Sequence, residues 1–231
     1  MPRARGSATL WVMTQTAHQP LPGVPRRAFA PGLVLAGLCV LAYAVTLGDM
    51  RAWGISAASL EEGRWWTLVT HMFAHGGLLH LSFNALLLFF LSGPITVRMG
   101  PVPLNWIRFA LLFVACGLGG ALAYILIDSN GTIPAVGASG AIFGMVGLMA
   151  RLPRPAGPVS AEYYQRLRPL TFELIGRNLF LIGILTLPGL IAPGFMGIAW
   201  EAHLGGFLTG FLVGPVFLAP MVRLDRADGA H

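Results

Sequence analysis

The amino-acid sequence predicts an all-α membrane protein built as a bundle of six transmembrane helices. Apolar residues make up 55% of the 231-residue chain and charged residues only 10%, and the mean hydropathy of +0.71 exceeds that of an ordinary soluble domain. Long uncharged segments recur along the chain. The 30 glycines and 17 prolines are typical of membrane helices that pack closely or are interrupted.

The chain is expected to begin with a basic cytoplasmic tail at residues 1–28, which is polar, contains no acidic residue and is predicted to be disordered. Residues 29–47 are uncharged and long enough to cross a hydrocarbon core of about 30 Å as a helix. Two alternatives remain open here. Ala42-Tyr43-Ala44 resembles the cleavage site of a signal peptide, and the arginine-rich, acid-free start resembles an organelle transit sequence.

A long connection at residues 48–77 is predicted to lie in the membrane interface, because it places tryptophans beside charged side chains. Five further spans are predicted, and together with the first they form a six-helix membrane domain at residues 29–222. A short cytoplasmic tail at residues 223–231 follows. The five further spans are residues 78–97, 109–127, 133–150, 179–198 and 202–222.

The arginines predict the orientation of this bundle. If both termini lie on one side, every arginine except Arg51 and Arg64 lies on that side too, and the chain contains no lysine. The positive-inside rule then places both termini in the cytoplasm of a multi-pass cell-membrane protein, which we interpret as a bacterial inner-membrane protein. Because topology explains the net charge of +6, no nucleic-acid partner is predicted.

Polar residues in three spans of the same direction predict a functional site. Spans two, four and six run from outside to inside, so their first turns share one depth near the outer face. His80 and Asn84 lie in span two, Ser139 in span four and His203 in span six. Polar groups in a bilayer are costly and usually face a bundle interior or a water-filled cavity, so these four side chains are expected to converge.

Small residues indicate how spans four and six meet. Gly140 and Gly144 form one small-x-x-x-small face, and Gly206 and Gly210 form another, which lets two helix backbones approach closely. If these faces pack together, the serine and the histidine near their ends come within hydrogen-bond reach. The alternative is that the glycines only pack helices.

We therefore predict acyl transfer by a Ser–His dyad, with Ser139 as the nucleophile and His203 as the general base. The helix N-terminus at Ser139 is predicted to supply backbone donors to the oxyanion. His80 and Asn84, four residues apart on one helical face, are predicted to supply side-chain donors. The alternative interpretation is that His80 and Asn84 pack in the core through mutual hydrogen bonds.

Other polar and reactive residues receive structural interpretations. No third, orienting acid is evident, since Asp128 is expected near the end of span three and Glu201 is explained as a favourable charge at a helix N-terminus. Cys39 and Cys116 fall inside apolar segments, which predicts packing rather than a disulfide.

Three motifs occur in this order along the predicted spans and are specific in combination. They are His71-Met72-Phe73-Ala74-His75 leading to His80-Leu81-Ser82-Phe83-Asn84, then Gly137-Ala138-Ser139-Gly140, and finally Ala202-His203-Leu204-Gly205-Gly206 with Gly210. With these motifs the chain resembles the rhomboid intramembrane serine proteases over roughly residues 30–220.

The resemblance implies a rhomboid-type bundle and a serine endopeptidase, a hydrolase that cuts transmembrane protein substrates near the outer membrane face. Ser139 would be the nucleophile, His203 the base, and His80 and Asn84 the oxyanion donors. Phe143 matches a position whose aromatic ring packs against the catalytic histidine. No metal or cofactor is implied, and the partners would be transmembrane substrates and the lipid bilayer. The oligomeric state stays open.

The resemblance also implies roles around the site. Phe83 would belong to the lateral path of substrate entry, and His71 and His75 would shape the loop through internal hydrogen bonds. The chain departs from the family at Thr67, where an arginine commonly follows the tryptophan, and at Thr96, where a glutamate is often found.

Three rival classes remain as alternatives. The spacing of His71, His75 and His80 permits a metal site, although no His-Glu-x-x-His motif is present. A non-catalytic relative would bind and escort membrane helices, but such proteins generally lack the serine or the histidine. A transporter would be expected to show internal repeats or charge at the membrane midplane, and neither is evident.

Overall fold

The computed structural model describes residues 24–47, 49–128, 131–151 and 199–219. Within these ranges it contains eight α-helices: α1 (Ala30–Thr46), α2 (Met50–Trp53), α3 (Ala57–Glu61), α4 (Thr67–Thr70), α5 (Leu78–Thr96), α6 (Leu104–Ile127), α7 (Ser139–Arg151) and α8 (Trp200–Leu212). A 3-10 helix, Arg26–Phe29, precedes α1, and another, Gly214–Phe217, follows α8. The predicted fifth span, the predicted C-terminal tail and most of the predicted N-terminal tail lie outside the described residues.

Within the described ranges, three helical segments are long and apolar enough to cross a membrane, namely Arg26–Thr46, Leu78–Thr96 and Leu104–Ile127. They correspond to the first three predicted spans. The third begins five residues earlier than predicted, because Pro103 occupies its N-cap position, where a proline interrupts no helical hydrogen bond. Arg108 lies inside that helix and donates from Nη1 to the carbonyl of Met99 (2.7 Å), which accommodates its charge.

The helix of the fourth predicted span starts six residues later than residue 133, at the N-terminus predicted for Ser139. Residues 133–138 are not helical, and α7 begins at Ser139. Gly137 has a φ of +117°, which breaks the helical path two residues before the serine. Ser139 is therefore the first residue of its helix, where backbone N–H groups have no partner within the helix.

The sixth predicted span is likewise shorter than predicted as an α-helix. It ends at Leu212, and the chain continues as the 3-10 helix Gly214–Phe217. The reason is local, since Gly214 favours helix ends and Pro215 has no N–H to extend the α-helical ladder.

The connection between α1 and α5 is folded, with three short helices in place of a simple loop. Ser56 and Ser59 form a capping box at the start of α3. Thr67, which departs from the family pattern, is fully buried, and its Oγ1 donates to the carbonyl of Arg64 (2.6 Å). Trp65 and Trp66 stay 63% and 55% exposed, as suits residues at a membrane interface.

Helix α8 packs against both α6 and α7, and α1 packs against α5. Gly206 faces the backbone carbonyl of Gly140, and Gly210 faces that of Gly144, so closely that a Cβ atom at either position would overlap the carbonyl. The prediction that these two glycine faces meet is confirmed. Backbone contact of this kind replaces side-chain interdigitation between the two helices.

The core lies between α1, α5, α6 and α7. Its largest fully buried side chains include Phe109, Phe113 and Met145. Cys39 and Cys116 are both buried and free, which confirms their interpretation as packing residues.

Candidate active site

The Oγ atom of Ser139 and the Nε2 atom of His203 lie 2.8 Å apart. Ser139 begins α7, and His203 lies in the first turn of α8, where its backbone N–H reaches the carbonyl of Ala199. The close packing of the two glycine faces brings these helix starts together. His203 is only 8% exposed, so a proton moving between the two side chains would be sheltered from bulk water.

The imidazole of His203 is held by packing. The ring of Phe143, one helical turn after Ser139, stacks on it with 4.4 Å between centroids and 12° between planes. The other ring nitrogen, Nδ1, is buried and has no hydrogen-bond partner in the part of the chain that the structure describes. Neither Asp128 nor Glu201 contacts it through a described hydrogen bond, and Glu201 lies in the first turn of α8, as predicted.

Gly137 lies against the ring of His80, the predicted oxyanion histidine, and near the hydroxyl of Ser139. A Cβ atom at Gly137 would stand 2.7 Å from both Cε1 and Nε2 of His80 and 3.7 Å from Oγ of Ser139. Because such an atom would overlap the His80 ring, this position needs a glycine. The close approach places the His80 ring beside the segment that leads into α7 and Ser139.

Asn84 lies one turn after His80 and is 3% exposed. Its Nδ2 donates to the backbone carbonyl of His80 (2.9 Å). The alternative interpretation, in which His80 and Asn84 pack through mutual hydrogen bonds, is therefore found in part. Asn84 donates to the main chain of His80 and not to its ring. An amide nitrogen carries two hydrogens, so Asn84 keeps one for another acceptor.

The segment before Ser139 is tied to the connection between α1 and α5. Ile55 and Ala135 exchange backbone hydrogen bonds of 3.0 and 2.8 Å, and the N–H of Gly137 donates to the carbonyl of His71 (2.8 Å). This pairing is not predictable from the sequence, since no local pattern links residues 80 positions apart. The glycine before Ala138 was its only visible signal.

His71 and His75 lie outside the membrane-spanning helices and form internal hydrogen bonds, as the resemblance implied. Nδ1 of His71 contacts the carbonyl of Thr67 (2.9 Å), and Nδ1 of His75 contacts that of Phe73 (3.0 Å). Burial lowers the pKa of each histidine to about 4, and for His75 the charge of nearby His80 adds to this effect. Both imidazoles are therefore neutral at physiological pH.

The rings of His75 and His80 meet edge to face, with centroids 5.0 Å apart. Nε2 of His75 is buried and has no partner among the described side chains. No group of three or more His, Cys, Asp or Glu residues in the described ranges is arranged to hold a metal ion. The three histidines of the first motif therefore pack around the site without forming a described metal centre.

These features define a class: a helical membrane protein in which a serine and a histidine, from the starts of two adjoining helices, share a hydrogen bond close to a second histidine. A family model described as "Rhomboid domain" matches residues 62–220. The chain belongs to the rhomboid family, and with its apolar helices it is a multi-pass membrane protein.

Several relatives agree with this assignment. "RHOMBOID-like protein 5" of Arabidopsis thaliana is 35% identical over 160 residues, which cover 69% of this chain and 46% of the relative. "RHOMBOID-like protein 1" of the same plant is 33% identical over 174 residues, covering 75% and 40%. "Rhomboid protease GluP" of Bacillus subtilis (strain 168) is 31% identical over 179 residues, covering 76% and 30%. The chain thus spans less than half the length of these relatives.

Proposed function

We propose that this protein is an intramembrane serine endopeptidase that hydrolyses peptide bonds in transmembrane protein substrates. The observation that carries the proposal is the 2.8 Å contact between Oγ of Ser139 and Nε2 of His203. A nucleophile and a base within hydrogen-bond reach are what covalent catalysis by serine needs. The relative from Bacillus subtilis, a protein named as a protease, supports the same activity.

In the acylation step, Oγ of Ser139 attacks the carbonyl carbon of the scissile peptide while Nε2 of His203 takes the hydroxyl proton. The tetrahedral intermediate then collapses, the C–N bond breaks, and the histidine returns the proton to the leaving amine. Water attacks the resulting acyl-enzyme with the same base, which releases the second product and restores Ser139. The Phe143 stack keeps the imidazole in position through both steps, since Nδ1 has no described partner to orient it.

The oxyanion of this intermediate would lie between Ser139 and the side chains of His80 and Asn84. The His80 ring lies against Gly137, two residues before the serine, and Asn84 keeps one amide hydrogen for an acceptor. The N-terminus of α7 adds backbone N–H groups and the positive end of its helix dipole. These donors would be preorganised, because Asn84 already bonds to the main chain of His80 and the segment before Ser139 is already tied to His71.

The proposal includes the membrane setting predicted from the sequence. A tail at residues 1–28, a six-helix domain at 29–222 and a tail at 223–231 would place both termini in the cytoplasm and the site near the outer face. The bilayer and transmembrane substrates are the partners, in a bacterial inner membrane. The mechanism uses no metal or cofactor step.

Cleavage of a model single-pass substrate by the purified full-length chain in detergent tests the activity. Wild type should cut, and Ser139→Ala and His203→Ala should each lose activity by about a thousandfold or more, since the two groups act as a unit. Ser82→Ala is a matched control, because Ser82 is an exposed serine on α5 away from the dyad. A Ser139→Ala variant that cuts as fast as wild type would show that Ser139 is not the nucleophile.

Orientation is tested separately with a reporter fused after Met221. We expect the reporter to remain in the cytoplasm. An exported reporter would overturn the predicted topology while leaving the catalytic proposal intact.

A further inference from the structure

The end of α8 carries two carbonyl groups that the helix itself cannot satisfy in the usual way. The N–H that would bond the carbonyl of Phe211 belongs to residue 215, and Pro215 has none. The corresponding donor for Leu212 is Val216, whose N–H turns to the carbonyl of Val213 instead (3.0 Å). A carbonyl without a hydrogen-bond donor at a helix end in a membrane protein costs free energy unless another group donates to it.

Arg151, the last residue of α7, supplies that donor. Its Nη1 lies 2.9 Å from the carbonyl oxygen of Phe211 and 3.2 Å from that of Leu212. Its Cζ also lies 5.6 Å from the centroid of the Phe211 ring. The guanidinium thus replaces the N–H that Pro215 lacks, and its positive charge lies at the negative end of the α8 dipole.

Arg151 ends a single face of α7 that contacts α8 along its length. Gly140, Gly144, Gly147 and Arg151 follow one another at spacings of four, three and four residues, which places them on one side of a helix. Gly147 lies against the backbone of Phe207 and Phe211, one turn before the arginine. The seam between the two helices therefore has the Ser139–His203 contact at one end and the Arg151 contact at the other.

We propose that Arg151 is a positioning residue that sets the axial register of α8 against α7, and so holds His203 within hydrogen-bond reach of Ser139. Glycines packed against backbone carbonyls provide few interlocking side chains. They therefore offer little resistance to sliding of α8 along α7. One guanidinium nitrogen held by two successive carbonyls resists this sliding, because a shift of about 1 Å would weaken these hydrogen bonds. This inference rests on the proposed protease function.

The test measures kcat and KM for a model transmembrane substrate in detergent, with kcat expressed per active site titrated by a fluorophosphonate probe at Ser139. Titration removes the effect of any unfolded fraction. Arg151→Ala should lower kcat per site by about tenfold, the order expected for removing its charge-assisted hydrogen bonds to Phe211 and Leu212, with KM unchanged. Arg151→Lys should recover most of this loss, since an ammonium group can still donate to a helix C-terminus.

Arg108→Ala is the matched control. It removes an arginine that also donates to a backbone carbonyl, that of Met99, but away from the seam between α7 and α8. It should leave kcat per site within about twofold of wild type. If Arg151→Ala reduced only the number of titratable sites, as a purely structural residue would, the inference would be wrong.

A second variant isolates the cause. Pro215→Ala gives residue 215 an N–H that can bond the carbonyl of Phe211, so adding Arg151→Ala to it should cost only about twofold in kcat per site. If Arg151→Ala lowered kcat per site equally in wild type and in Pro215→Ala, Arg151 would not set the register of α8 against α7. A wild type that neither cuts nor labels would contradict the proposed function and this inference with it. If wild type is active and Arg151→Ala has the same kcat per site, only this inference would be contradicted.

Discussion

The aromatic ring of Phe143 lies parallel to the imidazole of His203, with 4.4 Å between centroids and 12° between planes. Phe143 follows Ser139 by one turn of α7, so the helix that carries the nucleophile also supports the base. In a triad an acid would orient the imidazole through Nδ1, whereas here that atom is buried without a described partner. The described contacts that limit rotation of the imidazole ring are therefore this stack and the hydrogen bond of Nε2 with Ser139.

Replacing Phe143 should therefore affect turnover more than binding. Phe143→Leu keeps much of the volume but loses the flat stack, and we expect kcat to fall by about threefold to tenfold with KM little changed. Phe143→Tyr preserves the ring and should remain near wild type. Steady-state kinetics on a transmembrane substrate measure both, and a leucine variant with wild-type kcat would argue against the orienting role.

Gly137→Ala should displace the His80 ring from its place beside the serine. The new Cβ would stand 2.7 Å from two atoms of the His80 ring, and the φ of +117° disfavours alanine. We expect kcat to fall by about a hundredfold, comparable to the loss of an oxyanion donor. Gly77→Ala is the control, since a Cβ there meets nothing within 4 Å and its φ of 168° suits any residue. Equal activity in the two variants would contradict a catalytic role for the His80 ring as Gly137 positions it.

Gly206→Ala should separate α7 from α8. Its Cβ would overlap the backbone carbonyl of Gly140, and a backbone carbonyl cannot move aside as a flexible side chain can. We expect destabilisation of about 1–3 kcal/mol, seen as a lower thermal unfolding midpoint in detergent, and loss of cleavage. Gly37→Ala, on α1 with open space around it, should leave the midpoint unchanged or slightly raised. If Gly206→Ala and Gly37→Ala had the same unfolding midpoint, the glycine contact between α7 and α8 would not be a determinant of stability.

Stability should fall as the pH drops below about 6.5, the ordinary pKa of histidine. His71 and His75 have a pKa of about 4 in the folded protein because burial disfavours the charged ring. The unfolded chain therefore binds protons that the folded one does not, and each histidine contributes up to about 3 kcal/mol of stability that is lost between about pH 6.5 and pH 4.

Thermal unfolding midpoints measured from about pH 7 down to about pH 4.5 check this dependence. The double variant His71→Gln, His75→Gln should melt lower at neutral pH but with a weaker pH dependence than wild type. An unfolding midpoint of wild type that stays constant over this range would contradict the prediction.

The linear order of residues determined the class of the protein and the identity of its candidate dyad. Composition and segment length indicate membrane helices because the bilayer imposes a minimum apolar length. Ser139 and His203 are recognisable because polar residues at matching depths in parallel spans stand out against an apolar background. The glycine pairs predicted the seam, since close approach of two helices needs small residues at helical spacing.

Only the tertiary structure decided how the site is built. The contact between Gly137 and the His80 ring and the bridge between Ile55 and Ala135 join segments far apart in sequence. The role of Arg151 also depends on the folded structure. The sequence shows only an arginine at the end of a membrane helix, and its contact with the carbonyls of Phe211 and Leu212 appears only in the structure. Local patterns report on helix and strand periodicity, but a donor and an acceptor from different helices meet only when the chain is folded.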